Sequence, residues 1–358
     1  MPHKKVLLIG PLPEPTTGVS LANQVVSSVL KNEGYNVTEV NTSFSYLDEE
    51  LGVFSFKKLW HNLKYNTQAF KVFSNHIIYF TPGQTFFGVL KYAVFIVFAA
   101  LSRKRIITHI HGNHLGTAYH QMSGIRRWVT KKLMSLSSDG IVLSESLKPN
   151  LTPFLDEKNI HILPNFAQEY LKTDITKDYA SPRFIYLSNL MQEKGIIIFL
   201  KALLELQNQN ISYQAQIGGA VTKEMWMQVK PLLLQLKNVD YKGVVMGEEK
   251  KALFEWGNVF VLPTYYKMEG QPISILEAMA TGSLIITTTQ GGIPDIIKNG
   301  EQGLFVEKQN VEDLVLKMKS IASNPKIISD IGVKNQVHFS ENFTMKAFTS
   351  RLITIFRK

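Results

Sequence analysis

Short apolar runs alternate along the chain with longer stretches in which apolar residues recur every three or four positions. The runs are rich in β-branched residues, as in Val6-Leu7-Leu8-Ile9, and predict buried strands, whereas the longer stretches predict helices with one buried face. Twelve strands are predicted in two series of six: residues 5–9, 36–40, 76–79, 105–109, 140–143 and 161–163, then 183–187, 213–217, 239–242, 259–262, 284–287 and 304–305.

This alternation is typical of α/β proteins in which helices cover both faces of a parallel sheet. Because a polar segment of mixed charge separates the two series, we predict two doubly wound domains, residues 1–165 and 166–342. Ligands of such sheets bind beyond the carboxyl ends of the strands. Two sheets that face each other therefore predict a cleft between the domains.

Length and composition agree with two globular domains and exclude several other classes. The chain has 358 residues, and 45% of them are hydrophobic, which excludes a disordered protein. It contains no cysteine and therefore has no disulfide, thiolate metal site or cysteine nucleophile. The most apolar segment, residues 92–101, is well short of the roughly 20 residues that a spanning helix needs. No transmembrane helix and no signal peptide are predicted.

Positive charge is concentrated in the first half of the chain. The formal net charge is +10, and residues 51–138 contain twelve basic residues and no acidic residue. Within this stretch one helical face is apolar and another is basic, formed respectively by Phe56, Leu59, Trp60, Leu63 and Phe70 and by Lys57, Lys64 and Lys71. This helix either contacts an anionic membrane or polyanionic acceptor or packs on the core with a solvated basic face. Nucleic acid is disfavoured because no docking motif accompanies the charge.

The segment that follows the strand at 259–262 contains two glutamates. Pro272 suits the first turn of a helix and Gly282 its end, so Glu269 lies in the loop before the helix and Glu277 about one turn inside it. The amides of Gly270, Gln271 and Ile273, together with the helix dipole, would favour a phosphate or a sugar hydroxyl. Considered singly, either glutamate could be an exposed surface charge.

Two further glycine turns, at residues 11–20 and 287–295, also join a strand to a helix. Neither turn is a Gly-Lys-Ser/Thr phosphate loop, and no Gly-Xaa-Gly-Xaa-Xaa-Gly fingerprint occurs, so kinase, ATPase and dinucleotide-binding functions lose support. His109, His111 and His114 could form a metal cluster or be polar residues at a strand end. No carboxylate is close to them in sequence.

The motifs together resemble the retaining glycosyltransferases of family 4, which have the GT-B fold of two Rossmann-like domains around a cleft. The most specific signal is the pair of glutamates separated by seven residues in EGQPISILEAMA at 269–280. Supporting motifs are GGIPDII at 291–297, NGEQGL at 299–304, EKG at 193–195 and LPN at 163–165. The resemblance implies that the helix at 343–358 packs back on the first domain.

The resemblance also implies roles for individual residues. Glu277 would hold the ribose of a nucleotide sugar, Lys194 would neutralise its diphosphate, and Gly18 would let the first domain's loop close over it. The base would lie near Val244. The implied catalytic residues are Glu269, His111 and Lys194, and the implied donor-binding residues are Gly18, Asn189, Lys194, Val244, Gly270, Gln271, Pro272, Ile273 and Glu277.

One position departs from the family pattern. The family usually has Gly-Arg-Leu before its Glu-Lys-Gly, whereas this chain has SNL at 188–190. Asn189 can donate hydrogen bonds to a diphosphate but carries no charge.

The function implied is retaining, metal-independent transfer of a hexose from a UDP- or GDP-linked sugar to a lipid-linked saccharide acceptor, in synthesis of cell-surface polysaccharide or glycolipid. We expect a cytoplasmic protein on the inner face of the membrane, with no cofactor and no nucleic-acid partner. A non-catalytic nucleotide-sugar-binding protein and a nucleotide-sugar epimerase remain alternatives. The sequence identifies neither the sugar, the base nor the linkage.

Overall fold

The computed structural model describes residues 4–14, 16–43, 64–171 and 175–358, and all twelve predicted strands are present in it, with ends that differ from the prediction by at most one residue. The strands are β1 Lys5–Gly10, β2 Asn36–Asn41, β3 Ile77–Phe80, β4 Arg105–Ile110, β5 Asp139–Val142, β6 Ile160–Ile162, β7 Arg183–Leu187, β8 Gln214–Gly218, β9 Val239–Gly243, β10 Val259–Leu262, β11 Leu284–Thr287 and β12 Gly303–Phe305.

Helices connect most of these strands. They are α1 Gly18–Asn32, α2 Phe86–Leu90, α3 Ala93–Leu101, α4 Leu115–Gln121, α5 Gly124–Met134, α6 Ile196–Asn208, α7 Lys223–Leu233, α8 Gly247–Trp256, α9 Ile273–Ala280, α10 Val311–Ser323, α11 Lys326–Asn342 and α12 Met345–Arg357. None of the helices in the described ranges is long and apolar enough to cross a membrane.

Every neighbouring pair of strands is parallel, as the continuous apolar runs predict. The first sheet has the order β2-β1-β3-β4-β5-β6 and the second the order β12-β11-β10-β7-β8-β9. In the second sheet the chain starts at β7, continues outward to β9 and returns to β10 on the other side of β7. The crevice between β7 and β10 is therefore the switch point at which such sheets bind ligands.

The chain divides into two units by its internal contacts. The first consists of Met1–Pro164, Met268–Gln271 and Thr349–Lys358, and the second of Asn165–Lys267 and Pro272–Phe348. The first unit thus includes the loop that carries Glu269, while the residues that follow it, including Glu277, belong to the second. The division at Pro164 lies next to the domain boundary predicted at residue 165.

The last helix, α12, is shared between the units. Its part from Thr349 belongs to the first unit, where the Arg105 guanidinium donates hydrogen bonds to the carbonyl oxygens of Ile355 and Phe356 at 2.8 and 3.2 Å. The predicted return helix begins at residue 343, whereas the structure keeps Phe348 in the second unit. There its ring packs on that of Phe166, with 4.6 Å between centroids.

The predicted basic amphipathic helix lies largely outside the described residues, which resume at residue 64. The described end is a 3-10 helix, Thr67–Ser74. Val72 is buried in it, but Phe70 is 64% exposed. Phe70 therefore does not pack on the core, because it lies two positions before Val72 and so on a different side of the helix. Contact of this helix with an anionic surface stays a prediction.

Candidate functional site

The turn that carries Lys194 lies at the carboxyl end of β7 and is attached to the end of β10. Gly195 has φ +84°, and a Cβ atom there would lie 2.4 Å from the carbonyl oxygen of Pro263, so only glycine allows this approach. The amide of Tyr265 donates to the carbonyl oxygen of Glu193 at 2.7 Å. Two loops are thus held together at the β7–β10 switch point, where sheets of this strand order bind ligands.

The Lys194 ammonium lies 5.1 Å from the ring centroid of Tyr266, within cation–π distance. The glycine turn after β11 reaches the same place, because Nε2 of Gln290 donates to the carbonyl oxygen of Tyr266 at 3.0 Å. Gly291 in this turn has φ +58°. The structure therefore gathers the turns after β7, β10 and β11 around Tyr266.

Glu277 is buried on α9, and its carboxylate forms an ion pair. Nζ of Lys250 donates to its Oε1 at 2.6 Å, and the two side chains are 15% and 3% exposed. Burial disfavours the Lys250 ammonium, but the charge of Glu277 and the hydrogen bond to it outweigh burial and raise the pKa of Lys250. Lys250 also hydrogen-bonds Tyr170. Glu277 is therefore not the exposed helix carboxylate that the sequence left open.

The start of α9 differs slightly from the prediction. Pro272 has φ −62° and ψ 120° and is the cap, so the helix begins at Ile273 rather than with proline in its first turn. The ψ angle of Pro272 is extended and not helical, so Pro272 still belongs to the loop before α9. The amide of Ile273 lies in the first turn, where no backbone carbonyl of the helix can accept from it.

The loop Met268–Gln271 packs within the first unit against the residues that follow β4. A Cβ atom at Gly270 would lie 2.2 Å from the carbonyl oxygen of His111, so glycine permits close backbone contact. Nε2 of Gln84 donates to the carbonyl oxygen of Met268 at 3.4 Å. Glu269, which this loop carries, is buried, and so is Gln271. The structure thus brings the Glu269 loop and His111 together.

Two histidines at the end of β4 have their rings in contact. The ring centroids of His109 and His111 are 3.9 Å apart, and Nδ1 of His109 lies 2.7 Å from the Tyr79 hydroxyl oxygen. Burial, and then the neighbouring His111, lower the pKa of His109 well below its usual value, and burial lowers the pKa of His111 to about 3. Both rings are therefore neutral at pH 7. Across the described ranges no three His, Asp or Glu side chains are grouped to hold a metal ion.

Three predicted donor-binding residues are exposed. Gly18 is the first residue of α1, after a capping box formed by Thr17 and Ser20. The carbonyl oxygen of Asn189 accepts from the amide of Met191 at 2.9 Å, and its side chain is solvent-accessible. Val244 follows β9 and is likewise exposed. None of these three positions is enclosed as Glu277 is.

Sequence reasoning missed Lys250 and Tyr170. Lys250 precedes Glu277 by 27 residues, and its neighbour Lys251 pairs within the same helix with Glu255 at 3.8 Å. Because Lys250 and Lys251 are adjacent on one helix, the sequence does not show which of them pairs with a distant carboxylate. The only available signal is helical phase, which places Lys250 and Lys251 100° apart on α8 so that only one of them can face α9.

Two parallel-sheet Rossmann-like units with a ligand crevice at a strand-order reversal define a GT-B fold, and solved structures agree. Sucrose-phosphate synthase from Thermosynechococcus elongatus has a TM-score of 0.78 at 17% identity, covering 99% of this chain and 98% of that chain. Anabaena HepE, solved in complex with UDP and glucose, has a TM-score of 0.74 at 15% identity, covering 99% and 100%. At these identities the likeness concerns the fold.

The sequence of the second unit also resembles a known family. Residues 168–342, nearly the whole second unit, match the family model for glycosyl transferases group 1. The putative colanic acid biosynthesis glycosyltransferase WcaL of Salmonella typhimurium is 24% identical over 177 residues, which are 48% of this chain and 44% of WcaL. The chain thus matches less than half the length of that relative. The predicted resemblance to the group 1 glycosyltransferases is confirmed.

Proposed function

We propose that this protein is a retaining, metal-independent glycosyltransferase that moves a hexose from a UDP- or GDP-linked sugar to a lipid-linked saccharide acceptor. The observation that carries the proposal is the buried carboxylate of Glu277. Glu277 lies on α9, the helix that follows β10 at the β7–β10 crevice, and its carboxylate is held there by the ammonium group of Lys250. Binding of UDP and glucose by HepE and the colanic acid role in the name of WcaL support a nucleotide-sugar donor and a polysaccharide product.

Donor binding follows from the geometry of the second unit. The carboxylate of Glu277 would accept hydrogen bonds from the ribose hydroxyls. Its position is fixed because one of its oxygens already accepts from Lys250. A carboxylate that is immobile before binding loses little conformational entropy on binding, so the affinity for ribose is higher than a mobile side chain would give.

Bond cleavage requires stabilisation of negative charge. When the bond between sugar and phosphate breaks, charge grows on the nucleoside diphosphate, and donors aimed at it lower the barrier. Lys194 would supply a positive charge from the turn after β7, and the first turn of α9 would supply amides such as that of Ile273. The contact between Lys194 and Tyr266 holds the ammonium at this edge of the sheet.

The acceptor side needs no protein nucleophile in this proposal. The acceptor hydroxyl would attack from the face that the leaving group vacates, and a phosphate oxygen would take its proton. Glu269 would support the developing positive charge of the sugar from its buried position. Because the pKa of His111 is about 3, its ring would act there as a neutral hydrogen-bonding group and not as a cation.

The acceptor class and location rest on charge. Twelve basic residues and no acidic residue at positions 51–138 favour an anionic surface, as at the inner face of a membrane. A lipid-linked saccharide would be presented at that surface. We therefore propose a cytoplasmic enzyme that works while peripherally bound to the membrane.

Calorimetric titration without metal, using UDP, GDP and their hexose conjugates, tests the proposal. We expect binding of at least one nucleotide, a loss of tenfold or more in Glu277→Gln, and no change in the control Glu312→Gln, which alters an exposed glutamate on α10. Equal affinity of wild type and Glu277→Gln would remove Glu277 from the ribose site.

Turnover separates the three candidate functions. A transferase consumes the bound donor only when an acceptor is supplied, whereas an epimerase converts the donor without any acceptor. A protein that binds nucleotide sugar but shows neither reaction would be a binding protein, and the uncharged Asn189 at the family's arginine position would then be the first residue to change.

A further inference from the structure

The helix α5 exposes large apolar and basic side chains side by side. Ile125 is 70% and Trp128 58% exposed, and Arg126, Arg127, Lys131 and Lys132 on the same helix are exposed as well. Within the described ranges none of these four cations forms an ion pair. Exposed tryptophan beside unpaired cations is typical of helices that lie in a membrane interface.

A cavity opens beside this helix. Its volume is about 370 Å³, and it is lined by Tyr119, Gly124, Arg127, Trp128, Lys131, Lys132 and Ser135. Three of the lining residues are cations and none is acidic. The Arg127 guanidinium carbon lies 5.1 Å from the ring centroid of Tyr119, which holds this cation against the cavity wall. A guanidinium, two ammonium groups and a hydroxyl together match the donors that bind a phosphate group.

Exposed apolar residues are also present on the helices that pack against α5. α2 and α3 both contact α5, and on α3 the exposed residues Val94, Val97 and Leu101 follow the three- and four-residue spacing of one helical face. Leu101 is 77% exposed. We call α5 together with the exposed residues of α2 and α3 the α5 face. Its apolar side chains lie on three helices that pack together, whereas exposed apolar residues on a soluble surface usually occur singly.

We propose that the α5 face docks on an anionic membrane, with the phosphate of a lipid headgroup in the cavity and Trp128 and Ile125 inserted among the lipids. Charge complementarity selects an anionic partner, since residues 51–138 contain no acidic residue. The exposed apolar residues select lipid over a soluble polyanion, because a nucleic-acid backbone or free phosphate would leave them in water. This inference deepens the membrane location in the proposed function and rests on it only for its biological purpose.

Vesicle co-sedimentation of the full chain tests the proposal. We expect binding to vesicles of phosphatidylcholine with phosphatidylglycerol and little binding to phosphatidylcholine alone. The triple variant Arg127→Glu/Lys131→Glu/Lys132→Glu should lose binding at least tenfold. The matched control Lys223→Glu/Lys230→Glu/Lys237→Glu makes the same charge change on exposed lysines on and after α7 and should bind as wild type.

Two further measurements separate lipid docking from other causes. Tryptophan emission should shift to the blue on vesicle binding, and Trp128→Phe should lose most of the shift while still sedimenting. Inorganic phosphate at millimolar concentration should not release the protein; release would show a soluble phosphate site instead of a lipid site. Absence of wild-type binding to anionic vesicles, or equal binding by the α5 triple variant, would overturn the proposal.

Folding and donor binding are checked on the same variants. Thermal unfolding should show the triple variant folded, and its affinity for nucleotide in calorimetry should equal that of wild type. Because vesicle binding is measured without nucleotide, its failure and a failure of donor binding are recorded in independent experiments.

Discussion

The ammonium group of Lys250 lies 2.6 Å from Oε1 of Glu277, and both side chains are largely buried. Burial removes each of these charges from water, which costs free energy. Only the attraction between the two charges offsets that cost, so removal of either one destabilises the protein. The proposed ribose-binding carboxylate thus also links α9 to α8.

Lys250→Met should destabilise the second unit by roughly 3–5 kcal/mol, because it leaves the Glu277 carboxylate buried without a cation. The double variant Lys250→Met/Glu277→Leu should recover most of this loss. Urea unfolding followed by tryptophan fluorescence measures both, since Trp226 and Trp256 lie in the second unit. Lys251→Met is the control and should cost about 0.5 kcal/mol or less, since Lys251 and its partner Glu255 are both partly exposed.

Gly195→Ala should displace the Lys194 turn. The new methyl group would meet the carbonyl oxygen of Pro263 at 2.4 Å, and φ +84° adds backbone strain. Gly300→Ala is a matched control, because Gly300 has φ +80° with nothing within 4 Å of its Cβ position. Both variants lose about 1–2 kcal/mol from strain, but only Gly195→Ala should also weaken nucleotide binding in calorimetry. Equal nucleotide affinity in both variants would contradict this role of the Lys194 turn.

Acid should destabilise the protein through His109 and His111. The unfolded chain protonates histidine near pH 6.5, whereas burial lowers the pKa of both His109 and His111 in the folded state, to about 3 for His111. Below pH 6.5 the unfolded state therefore binds more protons, and the free energy of unfolding falls by about 1.4 kcal/mol per pH unit for each histidine.

The slope of this free energy between pH 5 and pH 6.5 checks the prediction. The variant Tyr79→Phe/His109→Phe should have a smaller slope than wild type, because it lacks the contribution of His109. Tyr79 is changed together with His109 so that its hydroxyl is not left buried without a partner. Burial also lowers the pKa of His338, which contributes equally to both proteins. An unchanged slope would mean that His109 is protonated in the folded state.

Arg105→Met should loosen the end of α12. The guanidinium donates to the carbonyl oxygens of Ile355 and Phe356 and pairs with Asp139 at 2.8 Å, so its loss removes three hydrogen bonds. We expect faster cleavage after Arg357 by trypsin and a loss of about 2–4 kcal/mol at roughly 1 kcal/mol per bond. Arg103→Met, two residues earlier and exposed, should leave both unchanged.

The sheets could be predicted because central strands such as β3 and β10 are apolar along their whole length. Strands buried on both faces differ in composition from the helices between them, so all twelve were located within one residue. The switch point between β7 and β10 follows from the strand order, which only the three-dimensional structure gives. Its place agrees with the sequence positions of Lys194 and Glu269, which come after β7 and β10. Glu277 could be named as a candidate because its spacing from Glu269 is characteristic of the family, and its contact with ribose stays a prediction.

What could not be predicted depends on contacts between distant segments. The pairing of Lys250 with Glu277 needs the relative rotation of α8 and α9, which helical periodicity alone does not supply. The cavity beside Arg127 depends in the same way on how α5 packs against α4. The exposed position of Phe70 could not be predicted either, because periodicity shows which residues share a helical face but not whether that face meets the core.

The first unit is assembled from three separate stretches of chain. Its last stretch places Phe356 with its ring centroid 6.0 Å from both Tyr35 and Tyr79, and Phe356 is fully buried. During translation the first sheet leaves the ribosome early, but residues 349–358 emerge only after the entire second unit has been made. The first unit therefore stays incomplete, with the surface around Tyr35 and Tyr79 uncovered, until the whole second unit has been synthesised.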